Sequence, residues 1–385
     1  MMDTLLPHPS LPFTLAMFAV VIGVLVFIHE FGHYAVGRLC GVKADVFSIG
    51  FGRELFGWND RRGTRWKLSL LPLGGYVKFA GDMNAASQPS PETTAVLARA
   101  TPAERAAMFQ FKPLWQRAAI IAAGPLTNFL FAIVVFALFF AVYGYSITPA
   151  VVDRVVAGSP AAIAGLQRGD RIVELDGQNV GRFEDVIRIV STNIGTPIDT
   201  RIERRGQQLD LRVSPKLVSE TDRFGNHYTR GQLGVASGGR VLVPCSPIAA
   251  VGNAVREVWL LTGTMIDGIE QVVTGRRPVS EMGGPVSIAK FAGQQAALGW
   301  VSLIQFMALI SINIGLVNLL PVPVLDGGHL FLYAIEAVAR KPLAPKIQEW
   351  AFASGFTALL SLMLFLTWND LVSAGVWKQL TGLFG

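Results

Sequence analysis

The stretch FIHEFGH, residues Phe27–His33, places two histidines and a glutamate at the end of a long apolar run. No residue from Leu11 to Ile28 carries a charge. On a helix, the spacing HExxH puts both imidazoles on one face, one turn apart, so that both can bind a single tetrahedral Zn²⁺. The glutamate between them is placed to take a proton from water. We therefore predict His29 and His33 as metal ligands and Glu30 as the catalytic base.

The composition predicts a membrane protein. The chain has 385 residues, of which 51% are hydrophobic and 16% charged, and its mean hydropathy is +0.44. A spanning helix needs roughly 20 mostly apolar residues. Four segments qualify: about 11–37, 115–143, 300–321 and 352–376. The first is not a cleaved signal peptide, because it has no basic region before it and no small-residue cleavage site after it.

The depth of the motif in the membrane favours function. If the first span begins at Leu11, His29 lies about 27 Å along the helix, toward its cytoplasmic end. Ionisable side chains at this depth are costly and by default mark a functional site. The alternative is that the histidines reach for the interface from a helix end. That alternative leaves the glutamate between them unexplained.

Basic residues cluster in two connections, one from Lys43 to Lys112 and one containing Arg340, Lys341 and Lys346. The positive-inside rule places both on the cytoplasmic side, so the long segment between spans two and three faces outward. This topology accounts for the net charge of +6. We therefore expect the lipid bilayer as a partner and no nucleic acid.

The segments between the spans differ in pattern. Residues 45–81 alternate apolar and polar positions with glycines at turns, which predicts membrane-associated β-strands. Residues 82–113 form a cytoplasmic loop, in which Thr101 and Glu104 are spaced as a capping box. The phrase SPAAIAGLQRGDRIVELDG closely resembles a PDZ domain, which we place at 147–216. Residues 217–298 are then an extracytoplasmic linker with amphipathic segments, one of which is expected to lie along the outer membrane surface.

The predicted fold class is an α-helical integral membrane protein with four transmembrane helices, a membrane-associated β region and an extracytoplasmic PDZ-like α/β domain. The other predicted boundaries are 1–44 for the first transmembrane helix, 114–146 for the second, 299–336 for the third, 337–351 for a cytoplasmic loop, and 352–385 for the fourth helix and tail.

A catalytic zinc needs a third protein ligand and an open position. The candidates are Asp326 and His329, in NIGLVNLLPVPVLDGGHLF, where prolines and glycines let the backbone bend at the end of the third span. His8 in the N-terminal tail and His227 in the outer segment lie too far away to compete.

Taken together, the motifs resemble the site-2 family of intramembrane metalloproteases. The resemblance rests on FIHEFGH, on the pattern from Asn318 to His329, and on a PDZ domain between them; it is closest to the bacterial regulator-of-sigma-E protease type. LLPLGGYVKFAGD, AAGPLTNF and GGPVSIAKFAG also resemble segments of that group. One departure is that the best-known enterobacterial members carry two PDZ domains, whereas one is found here.

The resemblance implies that Asp326 is the third ligand of one Zn²⁺. It implies an intramembrane endopeptidase that cuts single-span membrane proteins after an upstream protease has trimmed them. It also implies the bacterial inner membrane, with the PDZ domain on the periplasmic side and the active site toward the cytoplasm. Asn318 is a candidate donor to the oxyanion or to substrate backbone, with polar helix packing as its alternative. Asn128 is a weaker candidate of the same kind, whose alternative is packing beside Gly124.

Two other classes of function remain for comparison. A non-catalytic PDZ scaffold with a structural zinc would require a fourth protein ligand. A metal transporter would require further ionisable residues in other spans. The second span has none, and the fourth has only Asp370 near its end.

Overall fold

The computed structural model describes residues 9–81, 100–192, 196–221, 227–275, 283–341 and 344–373. The chain divides into two compact units. Met1–Phe136 and Ala254–Gly385 form one, here called the membrane unit, and Ala137–Asn253 form the other, the inserted unit. His8, most of the predicted loop 82–113 (residues 82–99) and the C-terminal tail from 374 onward lie outside the described residues.

The helices are α1 (Leu11–Leu39), α2 (Pro102–Ala106), α3 (Leu114–Tyr143), α4 (Pro160–Ile163), α5 (Phe183–Thr192), α6 (Pro247–Val273), α7 (Pro285–Ala297), α8 (Trp300–Leu319), α9 (Asp326–Ala339) and α10 (Pro345–Ser373). The strands are β1 (Ala44–Asn59), β2 (Arg65–Phe79), β3 (Tyr145–Ile147), β4 (Val152–Val155), β5 (Arg171–Leu175), β6 (Gln178–Asn179), β7 (Ile198–Arg204), β8 (Gln207–Val213), β9 (Lys216–Thr221), β10 (His227–Gln232), β11 (Val235–Ser237) and β12 (Val241–Val243).

Within the part of the chain that the structure describes, four helices are long and apolar enough to cross a membrane: α1, α3, α8 and α10. The shortest, α8, has 20 residues, which at 1.5 Å per residue gives about 30 Å, the thickness of the hydrocarbon core. The prediction of four spanning helices is confirmed. Of the predicted cytoplasmic loop, the described part contains α2, where Thr101 and Glu104 form the expected capping box.

Strands β1 and β2 form one sheet in which each strand is used twice. Residues 44–49 pair antiparallel with 75–79 on one side and in parallel register with 65–68 on the other, while 54–59 pair antiparallel with 65–69. The order across the sheet is therefore 54–59, 65–69, 44–49, 75–79, and residues 75–79 form an edge. Phe47, in the segment 44–49 next to this edge, packs on Tyr34 of α1 and stacks on Trp66. The β region predicted at 45–81 is thus anchored to the helix that carries HExxH.

Small residues allow the spanning helices to approach closely. A Cβ on Gly32 of α1 would collide with the carbonyl of Ala123 and the hydroxyl of Thr127 on α3. A Cβ on Gly315 of α8 would lie 3.1 Å from the carbonyl of Pro125. Close helix packing in membranes relies on such positions because lipid tails are as apolar as leucine side chains.

Helix α6 differs from its prediction. The sequence predicts that this amphipathic segment lies along the outer membrane surface. In the structure, Val258 is buried in a cluster with Ala132 of α3 and Ala308 and Ile312 of α8. Because Ala132 and Ile312 lie well inside two spanning helices, this part of α6 packs against membrane-embedded helices rather than on lipid headgroups.

Asp370 in α10 has a structural partner. Its carboxylate accepts hydrogen bonds from the backbone N–H of Gly284 and of Ser287 and from the Ser287 hydroxyl. It therefore satisfies free N–H groups at the start of α7. Asp370, the one carboxylate of the span predicted at 352–376, is thus accounted for without an ion pathway.

The inserted unit has its own core. Its four-stranded sheet has the order β6-β5-β7-β8, and β7 and β8 form a hairpin that turns at Arg205 and Gly206. The predicted boundary at 216 differs from the structure. Strand β11 pairs with β4, and Leu233 lies in the same core as Val152 and Ile172. The reason is that the sheet and core near the start of the unit are completed by residues that follow 216 in the chain.

Candidate metal centre and active site

The two histidines lie as HExxH predicts. His29 and His33 are one turn apart on α1, with ring centroids 4.9 Å apart and planes at 84°. Their Nε2 atoms are 3.3 Å apart. His33 is buried, and its Nδ1 donates to the carbonyl oxygen of Ile120 on α3 at 2.8 Å. That bond places the ring proton on Nδ1 and leaves the Nε2 lone pair free for a metal ion.

Asp326 is the first residue of α9, after the break that ends α8. Its Oδ2 lies 3.2 Å from Nε2 of His29 and 3.4 Å from Nε2 of His33. The two glycines that follow allow this approach. A Cβ on Gly327 would collide with the carbonyls of Leu319 and Leu320, and one on Gly328 with that of Val322. The start of α9 therefore folds back against the end of α8, and the carboxylate is held at the histidines.

These three atoms fit a zinc ion. Zinc bonds to nitrogen and oxygen of about 2.0–2.1 Å imply ligand atoms about 3.3–3.4 Å apart in a tetrahedron, close to the separations given above. Asp326 Oδ2 is buried and has no hydrogen-bond partner, as expected for an atom placed for a cation. In the described part of the chain, His29, His33 and Asp326 form the one such group. Three ligands leave a fourth position open, which is the pattern of catalytic zinc.

Glu30 faces a cavity beside this group. The cavity has a volume of about 230 Å³ and is also lined by Gly75, Tyr76 and Val77 of the edge strand. The backbone of Val77 donates a hydrogen bond to the Glu30 carboxylate. A Cβ on Gly75 would lie 3.1 Å from Cγ of Glu30, so glycine lets the strand pass close to α1. Glu30 and an extended backbone segment thus meet beside the His29, His33 and Asp326 group.

Asn318 and His329 also line the cavity. Asn318, near the end of α8, stays a prediction as a donor to substrate. His329, the rival ligand, is absent from the group of three ligand atoms; its ring packs on Phe352 with centroids 4.8 Å apart. Val324, also in the lining, has φ +87°, which is unusual for a β-branched residue. Sequence reasoning did not find this residue.

Asn128 is fully buried on α3 and does not line the cavity. Its Nδ2 lies 3.1 Å from Nδ1 of His29. The structure thus shows a packing contact for Asn128, and its role as a donor to substrate stays a prediction. Gly124, one turn earlier on α3, was also missed: a Cβ there would overlap Nε2 of His33. The signal was AAGPLTNF, in which Ala123, Gly124, Thr127 and Asn128 contact α1.

Comparison with known proteins finds a family model and relatives that match most of this chain, and solved structures that match a smaller part of it. The family model described as "Peptidase family M50" matches residues 17–362. A protein of Agrobacterium fabrum named as a zinc metalloprotease is 48% identical, covering 92% of this chain and 95% of its own length. Metalloprotease MmpA of Caulobacter vibrioides is 40% identical, with coverage of 94% and 96%. The PDZ domain of an SdrC-like protein from Listeria monocytogenes matches 24% of this chain and 88% of its own, at 20% identity and TM-score 0.20.

The family match spans HExxH, the loop before α9 and the spanning helices between them. The three ligand atoms occupy the geometry that zinc requires, and the relatives cover nearly the whole chain. The chain belongs to peptidase family M50 and is a multi-pass membrane zinc metalloprotease.

Proposed function

We propose that this protein is an intramembrane endopeptidase that hydrolyses peptide bonds within transmembrane segments of membrane proteins already trimmed by another protease. The observation that carries the proposal is the meeting of Glu30, the ligand group and the edge strand 75–79 at one cavity. All of these lie on, or directly against, helices long enough to span a membrane. A substrate reaching this site through the bilayer would be a spanning segment.

The residues divide the chemistry between them. His29, His33 and Asp326 would hold the zinc, which in hydrolytic sites acidifies water and polarises a carbonyl. Glu30 takes the proton from the attacking water and can pass it to the leaving amine. Asn318 lines the cavity, and we propose that it donates a hydrogen bond to the substrate. The non-catalytic scaffold has less support, because the described group has three ligands and a glutamate beside it.

The substrate must arrive as an extended chain. A helix hides its carbonyls in hydrogen bonds, so it has to unwind before attack. Strand 75–79 pairs on one side with β1 and has its other side toward Glu30. Addition of the unwound segment to this edge would form a further strand and hold it in place. This is how we propose that the protein selects segments able to leave the helical state.

We propose that the inserted unit controls access. A groove of about 180 Å³ runs between α5 and the segment before β11, lined by Phe183, Val186, Val190 and Leu233. Such a groove suits an extended chain or a new C-terminus. Strands β3 and β12 pair antiparallel and form a stem at the ends of the unit. Replacing 148–240 by a two-residue turn should allow untrimmed substrates to be cut; unchanged selectivity would rule out this role.

The chain is proposed to lie in a bacterial inner membrane with the inserted unit in the periplasm. The sequence has two cysteines, Cys40 before β1 and Cys245 in the inserted unit. A membrane-impermeant maleimide added to intact spheroplasts should label Cys245 and leave Cys40 unlabelled. Labelling of a Cys245→Ser variant under the same conditions would contradict the proposed topology.

The central experiment is cleavage of a trimmed single-span reporter by the intact chain and by Glu30→Gln. Cleavage within the membrane segment, lost in the variant while zinc is retained, is the expected result. Equal cleavage by both would assign the cut to another protease. With cleavage by neither, several reporters that differ in helix-breaking residues should be tried, and resistance of all of them would count against this substrate class.

A further inference from the structure

The His29 ring has a second nitrogen that the ligand group does not use. Nδ1 of His29 lies 3.1 Å from the side-chain amide of Asn128. Asn128 has no exposed surface, and its Oδ1 is buried with no hydrogen-bond partner. A metal ligand therefore touches a buried amide whose oxygen is unused.

The tautomer of His29 explains why the amide matters. A neutral imidazole carries one proton, so a histidine that binds metal through Nε2 carries it on Nδ1 and must donate it. In the structure the amide nitrogen faces Nδ1, which suits the opposite tautomer, with the ring proton on Nε2. A half-turn of the amide exchanges its nitrogen and oxygen with little change of shape.

We propose that Asn128 is the positioning residue of His29. With zinc in place, its Oδ1 accepts the hydrogen bond from Nδ1–H and holds the ring with Nε2 toward the ion. The turned amide instead donates to Nδ1, which is the arrangement in the structure. An amide can serve both forms because it offers an acceptor and a donor on one group.

Contacts around Asn128 hold its side-chain amide beside the His29 ring. The backbone carbonyl of Asn128 accepts a hydrogen bond at 2.9 Å from the hydroxyl of Ser311 on α8, which is fully buried. His33 receives the matching support from the carbonyl of Ile120, four residues before Gly124 on the same helix α3. Thus α3 supports both histidines of α1, one through a backbone carbonyl and the other through a side-chain amide.

The test measures zinc affinity of the full-length protein in detergent by competition with a chelator of known affinity. Zinc affinity depends on the zinc site and not on the proposed substrate class. The inference about Asn128 and the proposed function can therefore fail independently of each other. Asn128→Leu keeps the size and removes the hydrogen bond; we expect zinc to bind roughly 10- to 100-fold more weakly. Asn128→Asp, whose carboxylate can accept the same bond, should bind zinc as tightly as wild type or more so.

Thr357→Val is the control. The exposed Thr357 hydroxyl donates at 2.9 Å to the Ala353 carbonyl within its own spanning helix α10, so zinc affinity should not change. Wild-type affinity in Asn128→Leu, or affinity in Asn128→Asp as low as in Asn128→Leu, would overturn the proposal.

A second measurement needs no substitution. In zinc-loaded wild-type protein with ¹⁵N-labelled histidine, both ligand rings should show a slowly exchanging, zinc-dependent Nδ1–H signal. A protected signal from His33 alone would overturn the proposal even if the leucine variant does not fold.

Discussion

Gly124 of α3 faces His33 of α1 so closely that a Cβ on the glycine would overlap the Nε2 atom of the histidine. The close packing of α3 on α1 and the position of the His33 ring therefore both depend on the absence of a side chain at Gly124. One added methyl group would occupy the place of the ring. We therefore expect interhelical packing and zinc binding to be coupled at this point.

Gly124→Ala should weaken zinc binding. Overpacking costs about 1–3 kcal/mol, so affinity should fall roughly 5- to 150-fold as the His33 ring is displaced. Gly23→Ala, also in a spanning helix, is the control because a Cβ there would meet nothing within 4 Å. Chelator competition on both variants checks this. Equal zinc affinity in the two would contradict the proposed coupling.

Substitutions of Asp326 and of His329 should have different effects on the zinc content of the protein. Asp326→Ala removes an atom that lies between the two histidines, so the purified protein should lose its zinc. His329→Ala should keep it, because that ring packs on Phe352 outside the ligand group. Elemental analysis of both variants after dialysis gives the answer. Zinc retained by the first and lost by the second would make His329 the ligand.

Proline in the edge strand should stop cleavage. Tyr76→Pro disrupts the extended backbone beside Glu30, so reporter cleavage should be lost while zinc stays bound. Phe56→Pro makes the same change in the opposite edge of the same sheet, where the side chain is exposed, and should leave cleavage largely intact. Normal cleavage by Tyr76→Pro would end the strand-addition hypothesis.

The stability of the inserted unit should depend on the ion pair between Asp170 and Arg204. Asp170 is fully buried, and Arg204 donates to both of its oxygens at 2.7 Å. Burial alone would raise the pKa of Asp170, but hydrogen bonds from Arg204 and the Gln167 backbone outweigh it, so the pKa is lowered. Arg204→Met leaves a buried charge unpaired and should cost about 3–5 kcal/mol at neutral pH.

The pH dependence follows from the sign of that shift. A pKa that is lower in the folded state adds stability above the unfolded value of about 3.9, and this stability is lost as the pH falls through the folded value. Urea unfolding of residues 144–244 at several pH values should show the cost of Arg204→Met shrinking below pH ~4. Arg168→Met, which breaks the exposed pair with Asp153, should cost under about 1 kcal/mol. A similar loss in both variants would contradict the assignment.

Part of this structure could be predicted from the local spacing of residues in the sequence. Two histidines four residues apart share a helix face whatever surrounds them, so His29, Glu30 and His33 could be predicted from the sequence. The four spans follow from apolar length, because backbone groups in lipid must be satisfied within a helix. The hairpin at Arg205 and Gly206 and the capping box at Thr101 are equally local.

The tertiary structure decided what depends on distant parts of the chain. Asp326 and His329 are three residues apart, and only the fold-back of α9, which Gly327 and Gly328 permit, brings the first to the histidines. Asn128 is one turn from Gly124 in sequence, yet its place behind His29 depends on how α3 packs against α1. The strand at 235–237 joins a sheet begun 80 residues earlier. Such contacts are set by the packing of whole elements, which periodicity within one segment does not encode.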